Sequence, residues 1–218
     1  MMVNLDEFLS PARISLKVCG VTRRDDALEL VRLGVDAVGV NFWPGSKRHL
    51  PPRQAGWLGE IAGRILRVGV FVNQAVDAQL TLWNDGLIDV VQLHGDETQS
   101  HRDVLLAAGV PFFQSLAMTP GTTADSLPAG AAGVLLDAHA PGVYGGTGRV
   151  IDWPAARAMC AARPDVPMIL AGGITPENAA AAAAAVRPVA LDTASGVESS
   201  PGVKDAGKIS AMLDALRA

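Results

Sequence analysis

Cys19 closes the apolar run ISLKVC and is followed by Gly20 and Thr22, while Asp137 closes the later run GVLLD. A cysteine at the end of such a segment is ordinarily a small core residue. Near a cation or helix N–H groups its thiol ionises instead and can take a proton. Asp137 either caps a turn or, drawn partly out of water, donates a proton to an oxygen leaving group. Placed on opposite sides of one substrate, an acid and a base of this kind isomerise it. One atom gains a proton while a neighbouring carbon loses one, and no net redox change is needed.

Other side chains offer recognition chemistry. Arg48, in FWPGSKRHL, carries a rigid donor fork suited to a carboxylate, with Lys47 beside it as a less directional alternative; a plain surface arginine is the competing reading. His94 follows VQL and either bonds a substrate or supports a neighbouring group, and Asp192, ending PVALD, either orients a substrate hydroxyl or makes a structural hydrogen bond. His49, His101 and His139 do not fall into a metal-ligand spacing with these residues, so metal catalysis is not expected. Three late glycine-bearing segments, GGTGR (145–149), AGGITPEN (171–178) and TASGVESSPGVKD (193–205), have the composition of anion loops. Singly they read as turns. Together, after the last strands of a barrel, their backbone N–H groups would cradle a phosphate without a lysine. None matches the Walker pattern or opens a dinucleotide fingerprint.

These groups need a scaffold that brings distant positions to one rim. Eight short apolar runs, at 14–19, 37–42, 65–71, 88–93, 110–116, 133–137, 166–170 and 188–192, are rich enough in β-branched residues to be strands buried on both faces. Between them lie segments of helical period: RRDDALELVRLG, QAGWLGEIAG, VDAQLTLWNDG, ETQSHRDVLLAAG and TPENAAAAAAAV, with KDAGKISAMLDALRA closing the chain. Asp77, Thr98 and Thr175 are candidate helix starters. Alternating strands and helices predict parallel pairing through right-handed crossovers, and eight units close into a single-domain α/β (β/α)8 TIM barrel over 14–218, with 1–13 as an extension. A doubly wound open sheet is the competitor. In the barrel, Cys19 and Asp137 share the carboxyl-terminal rim.

Composition agrees with an independent fold. The 218 residues are 49% hydrophobic and 18% charged, which fits a globular chain. No apolar run is long enough for a membrane span, and MMVNLDEFLS lacks the basic end and apolar centre of a signal. Two cysteines outside any CxxC pair, Cys19 and Cys160, point to a reducing cytoplasm. The net charge of −4 offers no general attraction to nucleic acid, and the four tryptophans form no repeating aromatic platform.

Along nearly its whole length the chain resembles the phosphoribosylanthranilate isomerases of tryptophan biosynthesis. The likeness runs in order through KVCGVTRRDDA, GVDAVGVNFWPGSKRHL, VGVFVN, VQLHGDE, LLDA, GGTGRVIDW, AGGITPEN and DTASGVESSPGVKD. It implies a β/α barrel in which Cys19 is the general base, Asp137 the general acid, and Arg48 the partner of the anthranilate carboxylate. Gly146, Gly172, Gly173, Ser195 and Gly196 would surround the phosphate. The implied reaction converts N-(5-phospho-β-D-ribosyl)anthranilate to 1-(2-carboxyphenylamino)-1-deoxy-D-ribulose 5-phosphate, an Amadori rearrangement that uses neither metal nor organic cofactor, by a monomer or a homodimer. His49, Thr193, Ala194 and Asn41 depart from the common pattern. Two rivals stand beside this reading. An aldolase would need a Schiff-base lysine, for which Lys17 is the nearest early candidate; a noncatalytic phosphoribosyl sensor would keep the anion loops alone.

Overall fold

The computed structural model describes residues 4–138 and 151–217. Strands β1 (Ser15–Val18), β2 (Ala37–Asn41), β3 (Leu66–Phe71), β4 (Val90–Leu93), β5 (Phe112–Met118), β6 (Gly133–Ala138), β7 (Met168–Leu170) and β8 (Ala190–Thr193) pair in sequence order and close β8 onto β1. All these pairings are parallel. The open-sheet alternative is excluded, and all eight expected strands form.

The helices follow from capping and from what breaks the chain. They are α1 (Leu5–Phe8), α2 (Arg24–Leu33), α3 (Val76–Asn84), α4 (Gln99–Ala107), α5 (Trp153–Ala162), α6 (Ala179–Val186) and α7 (Ala206–Arg217). Thr98 starts α4 by accepting from the His101 N–H. Asp77 does not cap α3, which begins after Ala75; it sits in the first turn, where its charge favours the helix dipole. Thr175 does not cap α6 either. It heads a preceding turn in which Asn178 Oδ1 accepts its N–H at 2.9 Å.

Two expectations need correction. The segment QAGWLGEIAG is not an α-helix but part of two 3-10 turns, Pro52–Gln54 and Gly56–Ile61. Pro51 and Pro52 supply no N–H, and three glycines at 56, 59 and 63 weaken the α-helical ladder, while Ala55, Leu58 and Ile61 are committed to the core. Conversely, WPAARAMCAA forms α5, capped by Asp152 and with Pro154 in its first turn, although no helix was expected there.

Side-chain alternation splits the core in two. One layer inside the barrel is built from Ala37, Leu66, Val68, Val90, Phe113, Leu135, Ile169 and Ala190. The N-terminal extension contributes to it. Phe8 of α1 is fully buried there, its ring 5.9 Å from that of Phe113. The other layer lies between strands and helices, where the small alanines of α6 pack close to the sheet through Ala179 and Ala182. An apolar floor therefore fills the amino-terminal end of the barrel, and polar inward-facing residues are left for the opposite rim.

Candidate active site

Cys19 leaves β1 at that rim, its N–H bonded to Thr193 O of β8 at 2.8 Å, and is partly exposed. Gly20, at φ +74°, turns the chain here, and the stem of Arg48 crosses it: a Cβ on Gly20 would fall 2.2 Å from Arg48 Cδ. The glycine after the cysteine is thus required twice, by its backbone angle and by the arginine lying over it.

Two residues earlier and on the same inward face, Lys17 is completely buried, with Nζ 2.8 Å from Asp192 Oδ1 of β8. Burial works against its charge, but Asp192 and then Cys19 outweigh it and hold the ammonium above its ordinary pKa. A Schiff-base lysine must be a neutral amine, so this geometry opposes the aldolase reading. Burial pushes the Cys19 thiol up, Lys17 and Lys204 pull it back, and Asp192 adds to the upward push. Asp192 is raised as well, by burial first, against the opposing pull of Lys17; Asp137 and His94 also act on it. Asp192 therefore stands between the Cys19 side of the rim and the Asp137 side.

Asp137, on β6, accepts the Ala138 N–H through Oδ1 at 2.8 Å and faces His94 Nε2 through Oδ2 at 3.4 Å. Both side chains are mostly shielded. Gln92 donates an amide hydrogen to His94 Nδ1 at 3.1 Å, and Ser115 Oγ lies 2.8 Å from the same nitrogen. With Nδ1 accepting, the neutral ring carries its hydrogen on Nε2 and presents it to Asp137. His94 thus lies against Asp137, the contact that the supporting role would use.

Arg48 is engaged rather than free. Its Nε and Nη2 donate to Glu198 Oε1 and Oε2 at 2.8 and 2.7 Å, and Glu198 also accepts from Lys204 Nζ at 2.8 Å and Gly202 N at 3.1 Å. Burial raises Glu198, but the bonds from Arg48 and Lys204 overcome it and hold the carboxyl below the ordinary range. Lys204 Nζ also reaches Cys19 O at 2.6 Å and Ala194 O at 3.2 Å. Glu198 and Lys204 lie on a hairpin after β8, β9 (Glu198–Ser200) and β10 (Val203–Lys204). Lys47 is exposed, whereas the Arg48 side chain is only 14% exposed, which separates the two candidates.

Two of the three glycine loops, those after β7 and β8, meet at the same rim. Gly172 and Gly173 follow β7 with φ of +86° and +69°, and Ser195 and Gly196 begin the 3-10 turn Ser195–Val197 after β8. Among the described residues no protein acceptor takes the N–H of Gly172 or Gly173. Thr193 Oγ1 donates to Ile174 O at 2.8 Å and fastens the two loops together, which gives this departure from the common pattern a structural use. Asn41 has one too: its Oδ1 accepts the Trp43 N–H at 2.9 Å and shapes the turn leading to Arg48. Gly146, and His139 with it, lie outside the described residues. Among the described residues no cluster of His, Cys, Asp or Glu could hold a metal ion, and no helix is long and apolar enough to cross a membrane.

The arrangement brings to one rim a thiol, a carboxyl with a histidine behind it, a guanidinium, and glycine N–H groups with no acceptor among the described residues. Sequence reasoning missed Glu198, Lys204, Gln92 and Ser115. Gln92 stands two positions before His94 and could have been found by period-2 spacing; the Arg48–Glu198 pairing spans 150 positions and leaves no local signal.

A model of the family described as N-(5'phosphoribosyl)anthranilate (PRA) isomerase matches residues 16–215. The N-(5'-phosphoribosyl)anthranilate isomerase of Pseudomonas putida KT2440 is 37% identical over 215 residues, covering 94% of this chain and 98% of that protein. The crystal structure of phosphoribosyl anthranilate isomerase from Thermus thermophilus superposes with a TM-score of 0.83 at 36% identity, over 94% of this chain and 98% of that one. Another phosphoribosyl anthranilate isomerase, solved with reduced 1-(o-carboxyphenylamino)-1-deoxyribulose 5-phosphate, gives 0.78 at 30% identity with the same coverage.

Proposed function

Because the chain belongs to the phosphoribosylanthranilate isomerase family, we propose that its rim carries out that family's reaction with Cys19 as base and Asp137 as acid. The enzyme is an aldose-ketose isomerase of tryptophan biosynthesis, converting N-(5-phospho-β-D-ribosyl)anthranilate to 1-(2-carboxyphenylamino)-1-deoxy-D-ribulose 5-phosphate. The observation that carries the residue roles is the shared opening. Cys19 and Asp137 end strands on different sides of Asp192, Arg48 lies over the loop beside Cys19, and the glycine nest follows β7 and β8.

The chemistry follows from placement. Asp137 gives its proton to the ribose ring oxygen as the C1′–O bond breaks, and the anilino nitrogen lone pair closes the C1′=N bond of a Schiff base. The His94 Nε2 hydrogen then meets the carboxylate that remains. Cys19 removes the proton from C2′, the electrons move to the iminium nitrogen, and the enolamine tautomerises to the aminoketone. The cation of the Schiff base draws the thiol toward ionisation at the moment a base is needed.

Recognition uses the two ends of the substrate. Glu198 occupies the side edge of Arg48 and leaves the Nη1–Nη2 end for the anthranilate carboxylate. The N–H groups of Gly172 and Gly173, with Ser195 and Gly196, receive the phosphate. The test is loss of anthranilate-ring fluorescence from phosphoribosylanthranilate with identification of the ketose product. Tight substrate binding without turnover by the purified protein would instead favour the sensor.

A further inference from the structure

A cysteine base is useful only if a cation lies close enough to share its charge. Four charged side chains act on Cys19: Lys17 two residues before it, Asp192 on β8, Lys204 on β10 and Arg48 from the loop after β2. They differ in what their hydrogens are doing. Lys204 places its ammonium among three oxygens, Cys19 O, Ala194 O and Glu198 Oε1, which accounts for all three hydrogens. Arg48 spends one edge on Glu198. Among the described residues Lys17 makes one such bond, to Asp192.

The ammonium lies near the sulfur. Gly39 of β2 faces the pair, and a Cβ placed on it would lie 2.8 Å from Cys19 Sγ and 3.0 Å from Lys17 Nζ. Sulfur and nitrogen thus both border the space left where this strand position lacks a side chain, close enough for the ammonium and the thiol to act on each other's charge. We infer that Lys17 is the positioning residue of the base: its ammonium, anchored by Asp192, is the resident cation against which the Cys19 thiol ionises. Asp192 then has two opposed effects, fixing the ammonium in place and competing with the thiolate for it. The inference deepens the assignment of Cys19 as base and rests on it for its meaning in catalysis, but not for its test.

The test titrates the thiol. In a Cys160→Ser background, Cys19 is alkylated with iodoacetamide across pH 6 to 10 and the rate followed by intact mass. Lys17→Met is expected to move the midpoint upward by about one unit or more and to slow alkylation near neutrality about tenfold. Asp192→Asn is expected to move it downward. A generally loosened rim would speed alkylation in both variants without opposite shifts. An unmoved midpoint in a folded Lys17→Met protein overturns the inference; should that variant fail to fold, an unmoved or raised midpoint in Asp192→Asn overturns it alone. The ascending limb of kcat/KM is expected to follow the thiol midpoint. If the midpoint shifts as stated and that limb does not follow, Cys19 loses its role as base while the Lys17–thiol linkage stands.

Discussion

The guanidinium of Arg48 is gripped along its Nε–Nη2 edge by Glu198, across 150 positions of sequence, before any substrate arrives. A guanidinium has a second fork at its Nη1–Nη2 end, so this grip orients the arginine without consuming it. Replacing Glu198 with Gln keeps the shape and removes the charge. KM is expected to rise about tenfold, corresponding to the loss of roughly 1–2 kcal/mol of oriented hydrogen bonding, with kcat nearly unchanged. Arg48→Ala is expected to weaken binding of an anthranilate-containing product analogue more severely, by about 10- to 100-fold. Steady-state kinetics and calorimetric titration check the two; unchanged affinity in Arg48→Ala removes it from the carboxylate site.

The same cluster sets an acid limit on stability. Glu198 is held below its ordinary pKa in the folded chain, so its contribution is present above the unfolded-state value and is lost as pH falls through the lower folded value. Thermal unfolding followed from pH 7 to pH 3 is expected to show a steeper loss of Tm below about pH 4.3 in the parent than in Glu198→Gln. Parallel curves would mean that the carboxylate is not coupled to Arg48 and Lys204 as described.

Acid and base should separate from the fold. Cys19→Ala and Asp137→Asn are each expected to lower kcat by about 10²- to 10⁴-fold while the circular dichroism spectrum stays native. His94→Asn, which withdraws the ring behind Asp137, is expected to cost less, about tenfold, because the carboxyl group remains. Near-normal turnover in Cys19→Ala or Asp137→Asn would strip that residue of its role.

What the sequence disclosed and what it hid divide along a physical line. The eight strands were legible because each is a short, largely buried apolar run, and the placement of Cys19 and Asp137 was legible because strand ends in a closed barrel share a rim. The 3-10 turns over 52–61 were not, since apolar period persists there while proline and glycine remove the α-helical ladder. Helix α5 was missed although Asp152 as cap and Pro154 in the first turn form a start signal. Glu198, Lys204 and Gln92 were hidden for another reason: their work is done with partners that only closure of the barrel supplies. Lys17 entered the sequence reading only as the nearest Schiff-base candidate for the aldolase rival, because its buried carboxylate partner lies 175 positions away.

The pH dependence of turnover follows from the thiol. Burial holds Cys19 above the ordinary cysteine value in the unliganded enzyme, so the base is mostly protonated at neutral pH and its ionised fraction grows as pH rises. The free-enzyme profile, kcat/KM, is expected to climb beyond pH 8.5, the ordinary thiol value. In the complex the Schiff-base cation assists ionisation, so the kcat limb is expected at lower pH than the kcat/KM limb. Rate profiles measured from pH 5.5 to 9.5 check the order; a kcat limb above that of kcat/KM contradicts it.

The two ends of the barrel predict opposite kinds of defect. Gly172 belongs to the functional end. Its φ of +86° disfavours any side chain, and a Cβ there would stand 3.0 Å from Ala138 N and 3.3 Å from Asp137 Oδ1. Gly172→Ala should therefore disturb the anion nest and the acid together, raising the inhibition constant for inorganic phosphate and lowering kcat each by about tenfold, while its strained φ costs about 1–2 kcal/mol and a few degrees of Tm. Phe8 belongs to the other end, fully buried against Phe113 on the barrel floor. Phe8→Ala is expected to cost about 3–5 kcal/mol and to lower Tm by about 10 °C, because the floor cannot collapse onto the space left. At 25 °C its kcat and KM should stay within about twofold of the parent, since the transmitted strain must cross a packed layer before reaching the polar rim. A folded Phe8→Ala protein with a large kinetic defect would show that the floor sets the geometry of the rim, and would end this separation of stability from chemistry.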